Sequence, residues 1–305
     1  MLNTVLPAIG IYKNVLITGA TSGIGEALAL YYAKNGAKNL FICGRNESRL
    51  TVVAQKCRQL GTIVYPEIID VTNREQMKSW IEGCERIAPL NLVFANAGVA
   101  TLQETDENIY NTFNTNVNGV LNTVLPAIGI YKNRLAQEQK KDSASSLDQF
   151  INKMKKQKRA FSLNPFRKRY LGNIGCELFH TSDKAIVITA SIAGYHGMPT
   201  CPSYSASKAC VKAWGEALRM SLKPYNINVN VICPGFIRSR ITDQNTCPMP
   251  FFMEADKAAE IIASRVEKNV GLIAFPWPMR FVAWLGSVLP NRVSEFIYSR
   301  LPYKV

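Results

Sequence analysis

Histidine is nearly missing from this chain: its 305 residues hold two, His180 and His196. The eight cysteines, at 43, 57, 84, 176, 201, 210, 233 and 247, form no C-x-x-C pair. These shortages argue against a structural metal site and against a disulfide framework, and leave the cysteines as reduced, buried thiols. Long hydrophobic runs are also absent. No stretch reaches the roughly 18 uncharged apolar residues that a membrane-crossing helix needs. Residues Met1–Tyr12 are apolar but lack a basic n-region and a small-residue cleavage pattern, so a cytoplasmic location is expected.

What is present is a globular composition, 47% hydrophobic, which excludes a wholly disordered or fibrous protein. The net charge of +14 is unevenly spread: residues 134–182 hold eleven Lys/Arg against four Asp/Glu, half of the excess. A nucleic-acid binder would rest on KMKKQKR and RKR in this segment, but no reader motif accompanies them, and a solvated basic loop is the expectation. The segment is polar, lies between a helix-like and a strand-like run, and exceeds the usual 12–15 residues of a connection. It reads as an insertion, largely disordered with one short basic helix around 147–159. Residues 2–14 and 121–133 are the same thirteen letters, LNTVLPAIGIYKN. Two copies are too few for a solenoid. The first therefore reads as a duplicated extension, 1–13, ahead of one domain spanning 14–305.

The remainder alternates short apolar runs with helical patterns. Strands are expected at 14–18, 39–43, 63–69, 92–96, 185–189, 228–232 and 272–275. Helices are expected at 24–35, 47–60, about 107–128, 203–222 and 254–267. A capping box, Thr72-Asn73-Arg74-Glu75, opens one more. Apolar strands between amphipathic helices imply an α/β fold with a parallel sheet covered on both faces, a doubly wound Rossmann-type sheet of seven strands.

After the first strand comes Thr18-Gly19-Ala20-Thr21-Ser22-Gly23-Ile24-Gly25. Glycines here allow a tight turn and let backbone approach a pyrophosphate seated on the free N–H groups of the next helix. At the end of strand two, where a carboxylate would hold a ribose 2′-hydroxyl, stands Arg45, a partner for a 2′-phosphate. NADP(H) is expected over NAD(H). Tyr204 and Lys208 are four apart and share one helical face. An ammonium beside a phenol lowers the phenol's pKa, tuning it to give a proton to a carbonyl or take one from an alcohol.

The TGxxxGxG turn, Asp70-Val71, Asn96-Ala97-Gly98, Asn116 in NVNG, Ser191, the Tyr204-Ser205-Ala206-Ser207-Lys208 run and Pro234-Gly235 follow in order. Together they resemble the short-chain dehydrogenase/reductase family over nearly all of 14–275 outside the insertion. The resemblance implies hydride transfer between a nicotinamide and a small carbonyl or alcohol. It makes Tyr204 the general acid, with Lys208 lowering its pKa and holding the nicotinamide ribose. Ser191 would position the substrate oxygen, and Asn116 would hold a water linking Lys208 to solvent. Gly19, Thr21, Ser22, Gly23, Ile24, Gly25, Arg45, Asp70, Val71, Asn96, Ala97, Gly98, Tyr204, Lys208, Pro234, Gly235 and Ile237 would line the cofactor. Ser239 stands where the family often has threonine. A homodimer or homotetramer paired through helices near 107–128 and 203–222 is implied as well.

For the substrate, Tyr195, His196 and Met198, with Met249, Phe251, Phe252 and Met253, are expected at the pocket mouth, a soft apolar set suited to a ketone. His196 is read as structural. The aromatic tail from Gly271 is too broken to span a bilayer, and is expected to cover the pocket or a subunit interface ahead of any membrane-surface contact. A catalytically inactive NADP-binding regulator is the other reading, though it need not keep Asn116, Ser191, Tyr204 and Lys208 together.

Overall fold

The computed structural model describes residues 12–101, 103–157, 182–243 and 248–298. Seven parallel strands run in the order β3-β2-β1-β4-β5-β6-β7. They are β1 (Asn14–Thr18), β2 (Asn39–Gly44), β3 (Ile63–Ile68), β4 (Leu92–Ala95), β5 (Ala185–Thr189), β6 (Asn228–Pro234) and β7 (Leu272–Phe275). Alternate strand residues feed opposite cores, because successive side chains point to opposite faces. Val15 and Ile17 join the core formed with α1 (Gly23–Lys34), α2 (Glu47–Gln59) and α8 (Ala255–Glu267). Leu16 joins the other, formed with α3 (Arg74–Ile87), α5 (Gly119–Gln157) and α6 (Pro202–Leu222). A sheet buried on both faces explains why the strands read as apolar runs rather than alternating ones. The order reverses between β1 and β4, so a crevice opens at the carboxyl ends of these two strands.

Several expectations need correcting. The cap of α3 is Asn73, which accepts from Gln76 N at 3.1 Å; Thr72 instead donates to Asp70. The long helix is three pieces: α4 (Asp106–Phe113), a π-helical turn at Asn114–Asn118, and α5. Helix α5 does not stop near 128 but continues to Gln157, so the first half of the expected insertion is helical. Its opening residues are docked. Arg134 meets both carboxylate oxygens of Glu85 at 2.7 Å and donates to Leu90 O at 3.0 Å, and Lys184 reaches Glu138 at 3.2 Å. Residues 158–181 lie outside the described residues.

The end of the repeated run is likewise part of the sheet. Tyr12 is buried, and Lys13 O accepts from Lys38 N and Asn39 N. Tyr12 and Tyr131, the same letter of the two copies, are both buried, each against a different core. Of the cysteines, 43, 57, 84, 201 and 233 are buried thiols outside any disulfide, but Cys210 is exposed on α6; Cys176 and Cys247 lie outside the described residues. The tail forms α9 (Trp277–Val288) and α10 (Asn291–Tyr298), after the short α7 (Arg240–Asp243) and α8. Neither tail helix is among the expected ones; α9 is apolar on nearly every side, with Arg280 its one charge, and so shows little helical period.

Candidate active site

The crevice is built from the ends of β1, β4, β5 and β6 and the start of α6. Thr18, the last residue of β1, ties β1 to β4. Its hydroxyl donates to Phe94 O at 3.1 Å and accepts from Asn96 N at 3.0 Å and Ala97 N at 3.2 Å. The Asn96 amide donates to Thr18 O at 3.2 Å, and its carbonyl accepts from Thr189 Oγ1 at 3.2 Å, which brings in β5. Thr18 is the first letter of the TGxxxGxG turn, but the motif shows nothing of its hydroxyl's partners, and Thr189, a threonine at a strand end, carries no motif of its own.

The glycine turn has the expected geometry. Gly19 and Gly23 have φ of +68° and +57°. A Cβ on Gly19 would stand 2.7 Å from Ala97 Cα, and one on Gly25 would collide with Gly19 O. Ser22, the N-cap of α1, makes no side-chain capping bond, so the first amides of α1 are left for an anion. Gly23 lies against Ser239, which with Thr242 closes the turn after Ile237. Arg45 lies at the rim, exposed, 3.5 Å from Asp70 Oδ2. Burial raises the pKa of Asp70, but bonds from Thr72 and the Arg45 charge outweigh it, and the carboxyl lies below its ordinary value. Val71 is buried behind it against Gly119.

Across the crevice stand the four residues expected to do chemistry. The π-helical turn places Asn116 fully buried; such turns recur at functional sites. Its amide is saturated by Val99 and by Ser207: Oδ1 accepts from Val99 N at 2.8 Å, and Nδ2 donates to Val99 O at 2.9 Å and Ser207 Oγ at 3.0 Å. Ser207, a letter inside the Tyr204–Lys208 run, was given no role of its own by the sequence. Ser191 follows β5, where its hydroxyl accepts from Ala193 N at 3.1 Å and lies near enough to the Tyr204 phenol to favour its ionised form. Lys208 is buried, donates to Thr189 O at 2.9 Å, and lies 5.7 Å from the centre of the Tyr204 ring.

The expected effect of Lys208 on Tyr204 is not what this geometry gives. Burial dominates both groups, pushing the phenol up to about 12 and the ammonium down to about 8. Ser191 opposes the first shift without overcoming it. A lysine four residues away fixes proximity, but the surrounding desolvation sets the sign. Tyr204 is therefore a neutral phenol across the ordinary pH range, which suits a proton donor. Cys233, not foreseen as a neighbour, is buried beside the site; burial pushes its thiol up to about 12 and keeps it neutral.

Gly98 completes the constellation, because a Cβ there would stand 3.2 Å from both Asn116 Oδ1 and Lys208 Nζ. The family model described as short chain dehydrogenase matches residues 13–134 and 177–248. The chain belongs to the short-chain dehydrogenase family. Its relatives include an uncharacterized oxidoreductase of Myxococcus xanthus, 28% identical over 95% of this chain and 98% of that protein. Another is the 11-beta-hydroxysteroid dehydrogenase-like 4A protein of Arabidopsis thaliana, 27% identical over 92% and 81%. Among solved structures, a Sphingobium yanoikuyae short-chain dehydrogenase in complex with NADPH aligns over 95% of this chain and 96% of that one, with TM-score 0.66 and 20% identity. A Mycobacterium paratuberculosis short chain dehydrogenase bound to NAD aligns over 87% and 96%, with TM-score 0.63 and 18% identity. At these identities the structures speak for the fold.

Around this short-chain dehydrogenase site, the expected mouth is only partly assembled. Met253 packs against the core, held by a parallel bridge to Ile237, while Phe251 is exposed and Phe252 lies under Arg238. Tyr195 lines a groove beneath α9 in which Ser191, Tyr204 and Lys208 take no part. Pro234 ends β6, and Gly235 donates to Phe275 O at 2.8 Å and leaves room for Met279.

Proposed function

We propose that the protein is an NADP(H)-dependent oxidoreductase that interconverts an apolar ketone and its secondary alcohol. The grouping of Ser191, the neutral Tyr204 phenol and the buried Lys208 ammonium, 5.7 Å from the centre of the Tyr204 ring, carries this reading. The residues present fit a dinucleotide. Gly19 and Gly25 let backbone close in where a Cβ would clash, Ser22 leaves the α1 amides uncapped, and Arg45 offers a guanidinium at the rim. When bound, the nicotinamide supplies or accepts the hydride.

The chain's own residues do the rest. Ser191 holds the carbonyl oxygen beside the phenol. Tyr204 gives its proton to that oxygen as negative charge grows there. Lys208, fixed by Thr189 O, stabilises the phenolate left behind. Asn116 spends its side-chain amide on the Val99 backbone and Ser207, and through them sets the floor beneath Lys208; a water joining Lys208 to solvent would rest on its main chain instead. The exposed Phe251 and Phe252 give the mouth its apolar character. Exposed Tyr110, Leu125 and Met220 on α4, α5 and α6 support pairing of two copies through these helices.

The test is NADPH oxidation across a panel of aliphatic and ring ketones, with the Tyr204→Phe protein alongside. Turnover by the parent is expected on part of the panel. The variant should lose about 10²–10⁴-fold while binding NADPH unchanged, since only the proton donor is removed. Cofactor binding without turnover by the parent, or equal turnover by the variant, overturns the reading.

A further inference from the structure

Helix α9 is apolar on nearly every side, WPMRFVAWLGSV, with Arg280 its one charge. A helix of that kind is ordinarily buried. Here it buries only Ala283 and Gly286, with Met279 leaning on Gly235. Trp277, Phe281, Val282, Trp284, Leu285 and Val288 stay exposed, Trp277 at 76%. Helix α10 extends the patch with Val293 and Phe296. The tail thus does not behave as a cover for the catalytic crevice; it packs on β7 and the turn at 192–194 and turns its aromatic side outward.

Between α9 and α6 runs a groove of about 680 Å³. Trp277, Phe281 and Trp284 give it an aromatic wall. Arg280 stands at it as a cation, and Lys212 at its edge is paired with Glu216 at 3.0 Å and lies over the Tyr195 ring. The Tyr195 hydroxyl is buried there without a hydrogen-bond partner among the described residues. A buried hydroxyl ordinarily has one. An aromatic wall, a cation and an unsatisfied hydroxyl match a lipid phosphate with its glycerol and acyl stem. The phosphate oxygens would accept from the Arg280 guanidinium, with the acyl stem along the aromatic wall.

We propose that α9 and α10 dock the protein on an anionic bilayer surface, with α9 lying in the headgroup plane. No helix among the described residues is long and apolar enough to cross a membrane, so the contact is interfacial. Tryptophan and phenylalanine are the side chains that settle at that depth. Charge decides between a bilayer and a second copy of the chain. The patch has Arg280 and Arg292 against Glu295, a local excess of positive charge. A second copy brings the same positive charge face to face, whereas an anionic leaflet attracts it.

The experiment is sedimentation of the full chain with vesicles of phosphatidylcholine alone and of phosphatidylcholine mixed with phosphatidylglycerol. Pelleting with the mixed vesicles and a blue shift of tryptophan emission are expected; two of the chain's four tryptophans lie on α9. The triple variant Trp277→Ser, Phe281→Ser, Trp284→Ser should bind about tenfold or more weakly, with its unfolding temperature held because these side chains are exposed. Arg280→Glu should remove the preference for the anionic lipid and leave the apolar contact. The proposal fails if the parent stays in the supernatant with both vesicles, or if the triple variant binds like the parent. It also fails if the parent is a dimer that this variant converts to monomer without any vesicle binding, which makes the patch a subunit interface.

Discussion

Glu104 closes the N-terminus of the helix that carries Tyr204. Its Oε1 accepts from Ser203 N at 3.1 Å and from Ser203 Oγ at 2.8 Å, across 99 residues of sequence. The helix supplies no side-chain cap of its own, because Cys201 at the N-cap makes no capping bond. A carboxylate at a helix N-terminus satisfies free amides and meets the positive end of the helix dipole. Glu104 thereby fixes the residue next to the proton donor.

Glu104→Ala is expected to cost about 1 kcal/mol of stability, the usual worth of a lost cap. It should lower kcat more than it raises KM, because the phenol loses its fixed position. Glu104→Gln keeps an acceptor oxygen and should recover most of both. Chemical denaturation and steady-state kinetics on the three proteins check this. Equal kcat in all three would leave Glu104 a stabilising cap with no part in positioning.

Lys208 sets the alkaline limit. Its ammonium is present below about 8 and lost above. Ketone reduction, kcat/KM, should therefore fall as pH rises through about 8. Lys208→Arg holds its charge at every accessible pH, so the residual activity of that variant should show no such limb. Stability moves the other way. The folded pKa lies below the ordinary 10.5, so the burden of a buried ammonium is fully present below about 8 and is relieved as pH rises from there to 10.5. A pH series of unfolding midpoints reads this directly.

Arg45→Asp should exchange cofactor preference. Loss of the guanidinium and gain of a carboxylate facing a 2′-phosphate are expected to weaken NADPH by about 1.5–3 kcal/mol, the worth of a charged hydrogen bond. NADH should bind as well as before or better. Parallel titrations with the two dinucleotides give the ratio, and an unchanged ratio rejects the role of Arg45.

Arg134 belongs to the fold although it opens the basic segment. Arg134→Ala removes both bonds to Glu85 and the one to Leu90 O. The expected cost is about 1.5–3 kcal/mol, read from the urea midpoint. A chain that loses 143–181 but keeps Arg134, Glu138 and Ser182 should retain NADPH affinity and turnover, whereas one cut from 134 to 182 should unfold earlier.

Legibility in the sequence followed the range of each interaction. The strands, the glycine turn and the Tyr204–Lys208 spacing are local, and letters a few positions apart encode them. The partners that hold the site are not local. Nothing near Asn116 points to Ser207, and nothing near Ser203 points to Glu104. The sign of the Tyr204 shift was misread for a related reason, since spacing shows the cation but not the burial that outweighs it. Tyr195 was placed at the mouth by its nearness to Ser191, yet a short turn at 192–194 sends it under α9. Helix α9 itself was missed because a segment without a polar face has no period to read.

The hydroxyl of Thr18 touches Phe94, Asn96 and Ala97, and through Asn96 it reaches Thr189. Contacts of such long sequence separation form only after large loops have closed, late in folding. The catalytic crevice therefore has no existence apart from the assembled sheet. During denaturation, activity should vanish together with the strands rather than before them, so turnover doubles as a gauge of how much of the population is native.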